Sequence, residues 1–466
     1  MGFACGLAMV LIIFEGIIIQ CEGAVDATSS KRIQSAPNND TKEDQSFLPN
    51  DLIETIVSKT DFETIQKAVR SGIVPANDFV MSRILKNCII SIMPELTEEI
   101  YKYHHQPGEL FLNFTINKTL KPFFDRFGDQ VKKIEIEINY PSGDNSHNEI
   151  TKNIIKKAKN LEELRVITFH DKEFWKEIFD EENGILFPEV KKFQFMGHSN
   201  QNDFKLNLIF PKLESFNLIG CVADENCLEN VVTLKELTLR TRSIREDQLD
   251  LIFANNRNMI KILLSSPNST ETMHSIARHL TKLKTLEVTY PGENFMLRTN
   301  NMAACDLPSV TNFGISFAGM NEVFGIGNFS FNMPHLKKLT LNGEHSDGRI
   351  INFINHFKEL EMVELLVYEC NVVECIEKLK HIKEFTIRYL GNRFRSLKNM
   401  FADFDKRSKL QKLKFERFEE SLYESYENSM KEFNIQLKSS MKPTWTLSRG
   451  QQIGSSQKCL MFRRDS

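Results

Sequence analysis

The chain has 466 residues, of which 41% are hydrophobic and 26% are charged, so it can bury a large core and is not disordered throughout. Its formal net charge is −3 at pH 7, which excludes a general electrostatic attraction to nucleic acid or to anionic membranes. Phenylalanine is unusually frequent, with 36 copies against 2 of tryptophan, and this large side chain without polar atoms suits a repetitive buried stack.

The first 23 residues have the pattern of a secretory signal. Leu7–Ile19 is almost wholly apolar, and Cys21-Glu22-Gly23 places small residues at the −3 and −1 positions before Ala24. The apolar run is shorter than the roughly 20 residues that a membrane span needs, and no later segment is long enough. No lysine or arginine precedes it, so a buried helix or a spurious extension is the alternative. We predict a signal peptide at 1–23 and secretion, with a cytoplasmic location as the alternative.

A polar stretch and a helical block follow the signal. Residues 24–46 are rich in Ser, Asn, Asp, Lys and Gln, which predicts a disordered linker. From Phe47 to about Tyr103 apolar residues recur at helical spacing, and Asp51 and Asp61 stand where helix N-caps are expected. The sequence therefore predicts a small helical domain over 47–103.

A repeated apolar pattern begins at Val131. Each unit has an apolar residue, two free positions, an apolar residue, one free position and another apolar residue, and the units start 20 to 30 residues apart. This core and this period are typical of leucine-rich repeats. The twelve copies are Val131-Ile134-Ile136, Leu161-Leu164-Val166, Val190-Phe193-Phe195, Leu213-Phe216-Leu218, Leu234-Leu237-Leu239, Met259-Ile262-Leu264, Leu283-Leu286-Val288, Val310-Phe313-Ile315, Leu336-Leu339-Leu341, Met362-Leu365-Val367, Ile382-Phe385-Ile387 and Leu410-Leu413-Phe415.

Each unit is predicted to be a short strand followed by a connecting segment. The last two apolar residues alternate with free positions, as in a strand with one buried face, while Ile244–Asn255 and Gly348–Phe357 have helical spacing. A single unit cannot bury its own apolar side, so the units must stack into one parallel sheet that curves into a horseshoe. The predicted fold class is α/β, a leucine-rich-repeat solenoid over 104–437, preceded by the helical domain.

Both ends of the array have additional candidate strands. Leu110 and Leu112 predict a strand ahead of the first full repeat. In the last segment, 438–466, Trp445–Arg449 and Lys458–Arg463 can pair as a hairpin that caps the solenoid, and a loose tail is the alternative.

The free positions of each strand are predicted to line the concave surface of the horseshoe. They mix charged with apolar side chains, and exposed apolar groups among polar ones are typical of a protein-binding surface. The alternative is that some of them are core residues assigned to the wrong register. The predicted target-binding residues are Arg165, Ile167, Met196, Ile219, Arg240, Leu263, Glu287, Leu366, Tyr368 and Arg388.

No motif indicates catalysis, a cofactor or a metal. His274 and His279 are five residues apart and so do not share a helix face as the metal ligands of HExxH do, and Gly325-Ile326-Gly327 lacks the third glycine of a dinucleotide loop. We predict that the chain is not an enzyme and has no cofactor. Its cysteines, among them Cys221 and Cys227, have neither zinc-finger nor redox spacing and are interpreted as small core residues.

The segment Phe47–Val69 resembles an F-box. Leu48-Pro49, then Leu52 and Ile56, then Asp61-Phe62 followed by Ile65, match the start and the two helices of that motif. The segment departs from the motif at Arg70–Ile73, where an F-box has a Val-Cys-Lys-x-Trp-like stretch. The resemblance implies that an apolar patch binds a Skp-type adaptor of a cullin–RING ubiquitin ligase, and its residues would be Leu48, Pro49, Leu52, Ile56 and Ile65.

The signal, the F-box-like segment and the repeats together resemble the secreted salivary-gland F-box/leucine-rich-repeat effectors of gall midges. That resemblance implies a substrate receptor that is delivered into a host and brings a target protein to the ligase. An extracellular repeat-containing binding protein, whose N-terminal helices only cap the solenoid, stays open as the alternative. An inactive hydrolase inhibitor is a third possibility, which no residue favours. No nucleic-acid partner and no membrane span are expected.

Overall fold

The computed structural model describes the repeat region and parts of its surroundings. The described residues, all in the compact unit Val57–Ser466, are 85, 88–93, 110–115, 120–138, 145–168, 186–197, 205–220, 225–240, 245–265, 270–291, 305–318, 331–345, 348–369, 379, 381–388, 409–416, 427–428, 431, 434, 445–451 and 458–464. The predicted signal at 1–23, the linker at 24–46 and the F-box-like segment lie outside them.

Sixteen of the described strands form one long sheet. Its order is β17-β18-β16-β15-β14-β13-β11-β9-β8-β7-β6-β5-β4-β3-β1-β2, and β10 and β12 form a separate small pair. The strands are β1 Cys88–Met93, β2 Leu110–Thr115, β3 Lys133–Ile138, β4 Glu163–Thr168, β5 Lys192–Gly197, β6 Ser215–Ile219, β7 Glu236–Arg240, β8 Lys261–Ser265, β9 Thr285–Pro291, β10 Cys305–Asp306, β11 Asn312–Ala318, β12 Phe331–Asn332, β13 Lys338–His345, β14 Met362–Glu369, β15 Glu384–Arg388, β16 Lys412–Glu416, β17 Trp445–Gln451 and β18 Lys458–Arg464.

From β3 to β16 the strands of the sheet are parallel and in register with the repeats. One backbone contact recurs at the start of each layer: the carbonyl of Lys132 accepts the N–H groups of Glu162 and Glu163, at 2.8 and 3.0 Å. The equivalent carbonyl of Lys337 accepts the N–H groups of Glu361 and Met362. Because every layer repeats this bond, the chain has the predicted leucine-rich-repeat solenoid fold.

Six described helices lie between strands. Two of the predicted helical stretches are confirmed as α4 and α6, and α4 packs against α5. The helices are α1 Leu120–Phe127, α2 Asn145–Lys157, α3 Leu206–Ile209, α4 Glu246–Asn255, α5 Thr270–His279 and α6 Gly348–His356. The 3-10 turns Gly128–Gln130 and Glu225–Leu228 also lie between strands.

The apolar residues of the repeats form the core, and phenylalanine supplies much of its volume. The Phe193 ring stacks on those of Phe210 and Phe216, with centroids 4.6 and 5.8 Å apart, and Phe187 stacks on Phe210. Each of these rings is buried. The rings contact one another across β5 and β6, so the core is continuous from one repeat to the next.

The N-terminal boundary of the array differs from its prediction. Cys88–Met93, assigned by sequence to the helical domain at 47–103, is the strand β1, which lies between β2 and β3 in the sheet. All six of its residues are buried. The run Cys-Ile-Ile-Ser-Ile-Met has no alternation, and a short fully buried strand cannot be distinguished from a buried helix by periodicity. The sheet therefore begins before residue 104, and the predicted strand at Leu110 and Leu112 is confirmed as β2.

The C-terminal hairpin is confirmed. β17 and β18 are antiparallel to each other, and β18 pairs antiparallel with β16, so the direction of the sheet reverses after the last repeat. Phe462 is fully buried and its ring contacts that of Phe415 on β16. The hairpin thus covers the apolar end of the last repeat.

One predicted repeat is two residues out of register with the strand pairing in the structure. Val363 pairs with Leu339 and Leu365 pairs with Leu341, so the unit is Leu360-Val363-Leu365 and not Met362-Leu365-Val367. Leu360 is buried, while Met362 is only half-buried. The stretch from Leu360 to Val367 satisfies the apolar pattern in both registers, and only pairing with the neighbouring strand selects one of them.

A buried asparagine joins two repeats. Asn256 is 2% exposed, and its side-chain Oδ1 accepts the N–H of Leu234 at 2.8 Å. Its Nδ2 donates to the carbonyls of Val231 and Ile252, at 2.7 and 2.9 Å. The amide therefore satisfies the Leu234 N–H and the Val231 carbonyl, which lie just before β7, and gives the Ile252 carbonyl a second bond besides that from the Asn256 N–H.

The described cysteines are small core residues. Cys88, Cys227 and Cys305 are buried among the apolar residues of the core. Burial raises the pKa of the Cys88 thiol to about 12 and that of Cys305 to about 11, so both stay protonated at neutral pH. The core interpretation is confirmed for Cys227, while Cys221 lies outside the described residues.

Candidate binding face of the sheet

The side chains that alternate with the core residues make a second face of the sheet, here called the open face. Two ladders of in-register positions run along it. The first contains Ser91, Glu135, Arg165, Gln194, Asn217, Thr238, Leu263, Glu287, Gly314, Thr340, Glu364, Thr386 and Lys414. The second contains Glu137, Ile167, Met196, Ile219, Arg240, Ser265, Thr289, Ser316, Asn342 and Leu366.

The first layers of the open face hold a buried polar cluster. Arg165 Nη2 and Nε lie 2.6 and 2.7 Å from Glu163 Oε1, and Arg165 Nη1 lies 3.9 Å from Glu135 Oε2. Ser91 Oγ donates to Glu135 Oε1 at 3.2 Å. Ser91, Glu135 and Arg165 are all less than 9% exposed. The one guanidinium lies against both carboxylates within the protein, so these groups have partners in the chain and this end of the face has a structural role.

The next layers are apolar and only partly shielded. Met196 and Ile219 are neighbours on the second ladder of β5 and β6, and each is half-buried. Asn217 on the first ladder donates to Gln194 Oε1 at 3.2 Å. Apolar side chains flanked by amides fit the predicted chemistry of a protein-binding surface.

The later layers form a polar groove. It has a volume of about 490 Å³ and crosses β7, β8, β9, β11, β13 and β14. Its floor on the second ladder consists of Ser265, Thr289, Ser316 and Asn342, all half-buried. Within the described part of the chain, none of these four side chains has a hydrogen-bond partner, so their polar atoms are available to a ligand.

Gly314 gives the groove its depth. A Cβ at this position would lie 3.0 Å from Cγ of Glu287, so the Glu287 side chain leans over the glycine. Thr340, the neighbour on the other side, donates to Glu364 Oε2 at 3.0 Å, and Lys338 Nζ lies 2.9 Å from Glu364 Oε1. Lys338 and Glu364 neutralise each other, whereas Arg240 and Glu287 are exposed and have no partner among the described residues.

The predicted target-binding residues divide into four groups. Arg240 and Glu287 are exposed as expected, and Met196 and Ile219 are half-buried. Arg165, Ile167 and Leu263 lie on the expected face but are buried, at 7%, 5% and 9% exposure. Adjacent strands are only about 4.8 Å apart, so large side chains on one ladder shield each other. The backbone places Leu366 on the second ladder and Tyr368 two residues beyond it, and Arg388 opposite Glu416; the side chains of these three residues lie outside the described set.

The four floor residues occupy free positions of their repeats but are not among the predicted target-binding residues. Small polar side chains at free positions carry no signal by themselves, and Glu364 was missed because its repeat was out of register. The signal that could have found the floor is the unbroken run of small polar residues at equivalent positions of successive repeats, Ser265, Thr289, Ser316 and Asn342. The predicted adaptor-binding residues Leu48, Pro49, Leu52, Ile56 and Ile65 lie outside the described residues.

One cluster of catalytic residue types lies between α4 and α5. Ser275 Oγ donates to Asp250 Oδ1 at 2.5 Å, and His279 Nε2 lies 3.1 Å from the same oxygen. The Ser275 hydroxyl bond, followed by His279 and Arg278, holds the pKa of Asp250 below its usual range. A nucleophilic serine must donate to the histidine, whereas here it donates to the carboxylate and is buried. The cluster therefore joins two helices.

The part of the chain that the structure describes has neither a metal-binding cluster nor a membrane-spanning helix. The described residues include no group of three or more His, Cys, Asp or Glu side chains placed to hold a metal ion. No described helix is long and apolar enough to cross a membrane.

Comparison with known proteins gives a distant structural likeness. No family profile and no curated protein sequence matches the chain. Among solved structures it is similar to the TLR13–ssRNA13 complex, with 14% identity, a TM-score of 0.37, and coverage of 66% of this chain and 45% of TLR13. It is also similar to the internalin InlF of Listeria monocytogenes, with 13% identity, a TM-score of 0.32, and coverage of 78% and 97%. The chain thus spans less than half of TLR13, and the fold assignment rests on the strand register and burial described above.

Proposed function

We propose that this chain is a non-catalytic binding protein that holds a target protein on the open face of its sheet. The observation that supports this most is the groove floor of Ser265, Thr289, Ser316 and Asn342. Their hydrogen-bonding groups have no partner among the residues that the structure describes, and they lie on the face opposite the apolar core. Half-buried Met196 and Ile219 on the same ladder add apolar contact area beside the groove.

The finer proposal is that the chain is the substrate receptor of an SCF-type ubiquitin ligase and is secreted as an effector that enters host cells. Its support is the resemblance of Phe47–Val69 to an F-box and of residues 1–23 to a signal peptide. In this role Leu48, Pro49, Leu52, Ile56 and Ile65 bind a Skp-type adaptor. The repeats hold the target close to the ligase, so the chain supplies proximity and no chemistry.

Co-purification with a Skp-type adaptor tests the ligase role. We expect the full chain to retain the adaptor, and Leu52→Asp or Ile56→Asp to lose it while circular dichroism stays unchanged. Ser58→Asp is the matched control, because it adds the same charge at a position that helical spacing places away from Leu52 and Ile56. A folded wild-type chain that retains no adaptor would contradict the ligase role.

A specific observation favours the second candidate, a secreted leucine-rich-repeat binding protein with no ubiquitin role. β1 belongs to the repeat sheet, and Leu85, in a helix three residues before β1, is fully buried. A buried helical residue this close to the sheet is what a helical cap on the solenoid would place there. A secreted chain that begins at Ala24 and has no adaptor affinity would support this candidate.

Target binding on the open face is tested separately. Ser316→Arg places a large side chain on the groove floor, and Met196→Asp puts a charge on the apolar layers. We expect at least one of the two variants to lose a target captured by the wild-type chain. Glu229→Lys, an exposed change outside the groove, should retain it. A target bound equally well by all three variants would contradict binding on this face.

A further inference from the structure

We infer that the polar groove selects an extended peptide segment that carries an acidic and a basic residue about four positions apart. This inference rests on the proposed function and names the chemistry of the occupant. It depends on two charges of opposite sign, Arg240 and Glu287, which have no ion-pair partner in the described part of the chain, and on the uncharged floor beside them.

The two charges have a fixed separation. Arg240 is on β7 and Glu287 is on β9, and register places Glu287 two residues before Thr289, the second-ladder residue in line with Arg240. Two strand spacings of about 4.8 Å and two residues of about 3.4 Å put their Cα atoms about 12 Å apart. An extended peptide rises about 3.3 Å per residue, so this distance corresponds to about four residues, whose side chains point to the same side.

The other residues that line the groove favour binding of a peptide main chain between the acidic and the basic side chain of the ligand. Ser265, Thr289 and Ser316 have hydroxyl groups that both donate and accept, and Asn342 has an amide that does the same. A peptide presents alternating N–H and C=O groups, which such a floor can satisfy. The Glu287 side chain lies over Gly314, with its Cδ 3.7 Å from the position that a Cβ would occupy, so its carboxylate lies near β11.

The other charges of the groove do not compete for the ligand. Lys338 and Glu364 are 2.9 Å apart, and Thr340 also binds Glu364, so this pair has no net charge to offer. The occupant is therefore expected to place its acidic residue over β7 and its basic residue towards β9 and β11. The Glu287 carboxylate would repel a uniformly acidic ligand such as an oligonucleotide.

Selection from a phage-displayed library of linear 12-residue peptides on the full chain tests this inference. We expect the retained peptides to share an acidic and a basic residue three to five positions apart. Synthetic copies should bind Arg240→Glu and Glu287→Lys about tenfold more weakly, because each variant replaces an attraction by a repulsion. Arg257→Glu and Glu229→Lys make the same charge changes outside the groove and should bind as the wild type does.

Charge exchange completes the test. Peptides in which the acidic and basic residues are interchanged should bind the double variant R240E/E287K better than the wild type. The inference would be overturned if the retained peptides lack such a pair, or if their affinities are the same for the wild type and both variants. Binding of a single-stranded oligonucleotide but of no peptide would also overturn it. A captured target that depends on Met196 but not on Arg240 or Glu287 would overturn this inference and leave the proposed function standing. If the predicted peptides are selected but the chain captures no target protein, the inference about the groove stands and the proposed function is overturned.

Discussion

The open face has two regions built on the same backbone ladders, and they differ in what their polar groups contact. At β3 and β4, Glu135 and Arg165 are buried and paired with other groups of the chain. At β8, β9, β11 and β13, the second ladder carries small polar side chains without partners among the described residues. The comparison shows that a position on the open face is not by itself a binding position. Unused charge and hydrogen-bonding capacity mark the part that is available to a ligand.

The largest expected difference between the two regions is in the stability effect of removing an arginine. Arg165→Met leaves Glu135 and Glu163 without their guanidinium partner in a buried setting, and should lower the free energy of unfolding by about 3–5 kcal/mol. Arg240→Met removes an exposed charge and should change it by less than about 0.5 kcal/mol. Urea unfolding of both variants measures this, and equal effects would contradict the division of the face.

A second prediction compares a buried asparagine with its exposed neighbour in the turn before β8. Asn256→Ala leaves the Leu234 N–H and the Val231 carbonyl buried without a partner, and should cost about 2–3 kcal/mol. Asn255→Ala removes one exposed bond, to the Glu229 carbonyl, and should cost about 1 kcal/mol or less. Thermal unfolding of the two variants compares them. A loss of stability as large for Asn255→Ala as for Asn256→Ala would contradict the role given to the buried amide.

A third prediction compares a glycine outside the groove, Gly220, with Gly314 inside it. Gly220 ends β6 with a φ of +80°, and an added Cβ would lie 3.1 Å from the Gly197 carbonyl oxygen, so Gly220→Ala should cost about 1–2 kcal/mol. Gly314 has no positive φ, and its added Cβ meets the flexible Glu287 side chain, so Gly314→Ala should cost less than about 1 kcal/mol. Gly314→Ala should instead weaken the binding of the peptides that are selected on the groove. Chemical denaturation and peptide titration of each variant separate the two roles.

The smallest expected effect lies in the helices behind the groove and depends on pH. The pKa of Asp250 is lowered in the folded chain by Ser275, His279 and Arg278. A lowered folded pKa gives stability that is present above the ordinary value near 3.8 and is lost as pH falls through the lower folded value. Asp250→Asn should therefore flatten the fall in stability below about pH 4 and lower stability slightly at neutral pH. Unfolding followed from pH 2 to 7 measures this, and an acid profile of Asp250→Asn equal to that of the wild type would contradict the prediction.

Much of the fold could be predicted because the repeat is a local signal. The apolar spacing of units such as Leu336-Leu339-Leu341 located the strands, and Trp445 and Lys458 located the closing hairpin. The register of Leu360-Val363-Leu365 could not be predicted, because Met362 and Val367 also fit the pattern. β1 was missed because a buried strand without alternation has no distinctive period.

The candidate site was harder to predict, because exposure depends on neighbouring strands. Arg165 and Leu263 occupy the same ladder as Glu287, yet each has neighbours that bury it. The partnership of Asn256 with Leu234, and that of Asp250 with Ser275, join residues more than 20 positions apart and leave no mark on local sequence. Unused hydrogen-bonding capacity is likewise a property of the folded neighbourhood.

Site-directed photo-crosslinking to a captured target tests the central claim most directly. A photoreactive amino acid is placed singly at Ser265, Thr289 or Ser316 on the groove floor, and at Leu208 or Glu229 outside the groove. Crosslinks to the target from the three floor positions, and none from the other two, are the predicted result. Crosslinks from Leu208 or Glu229 with none from the floor would contradict the claim that this chain binds its target on the open face of the sheet.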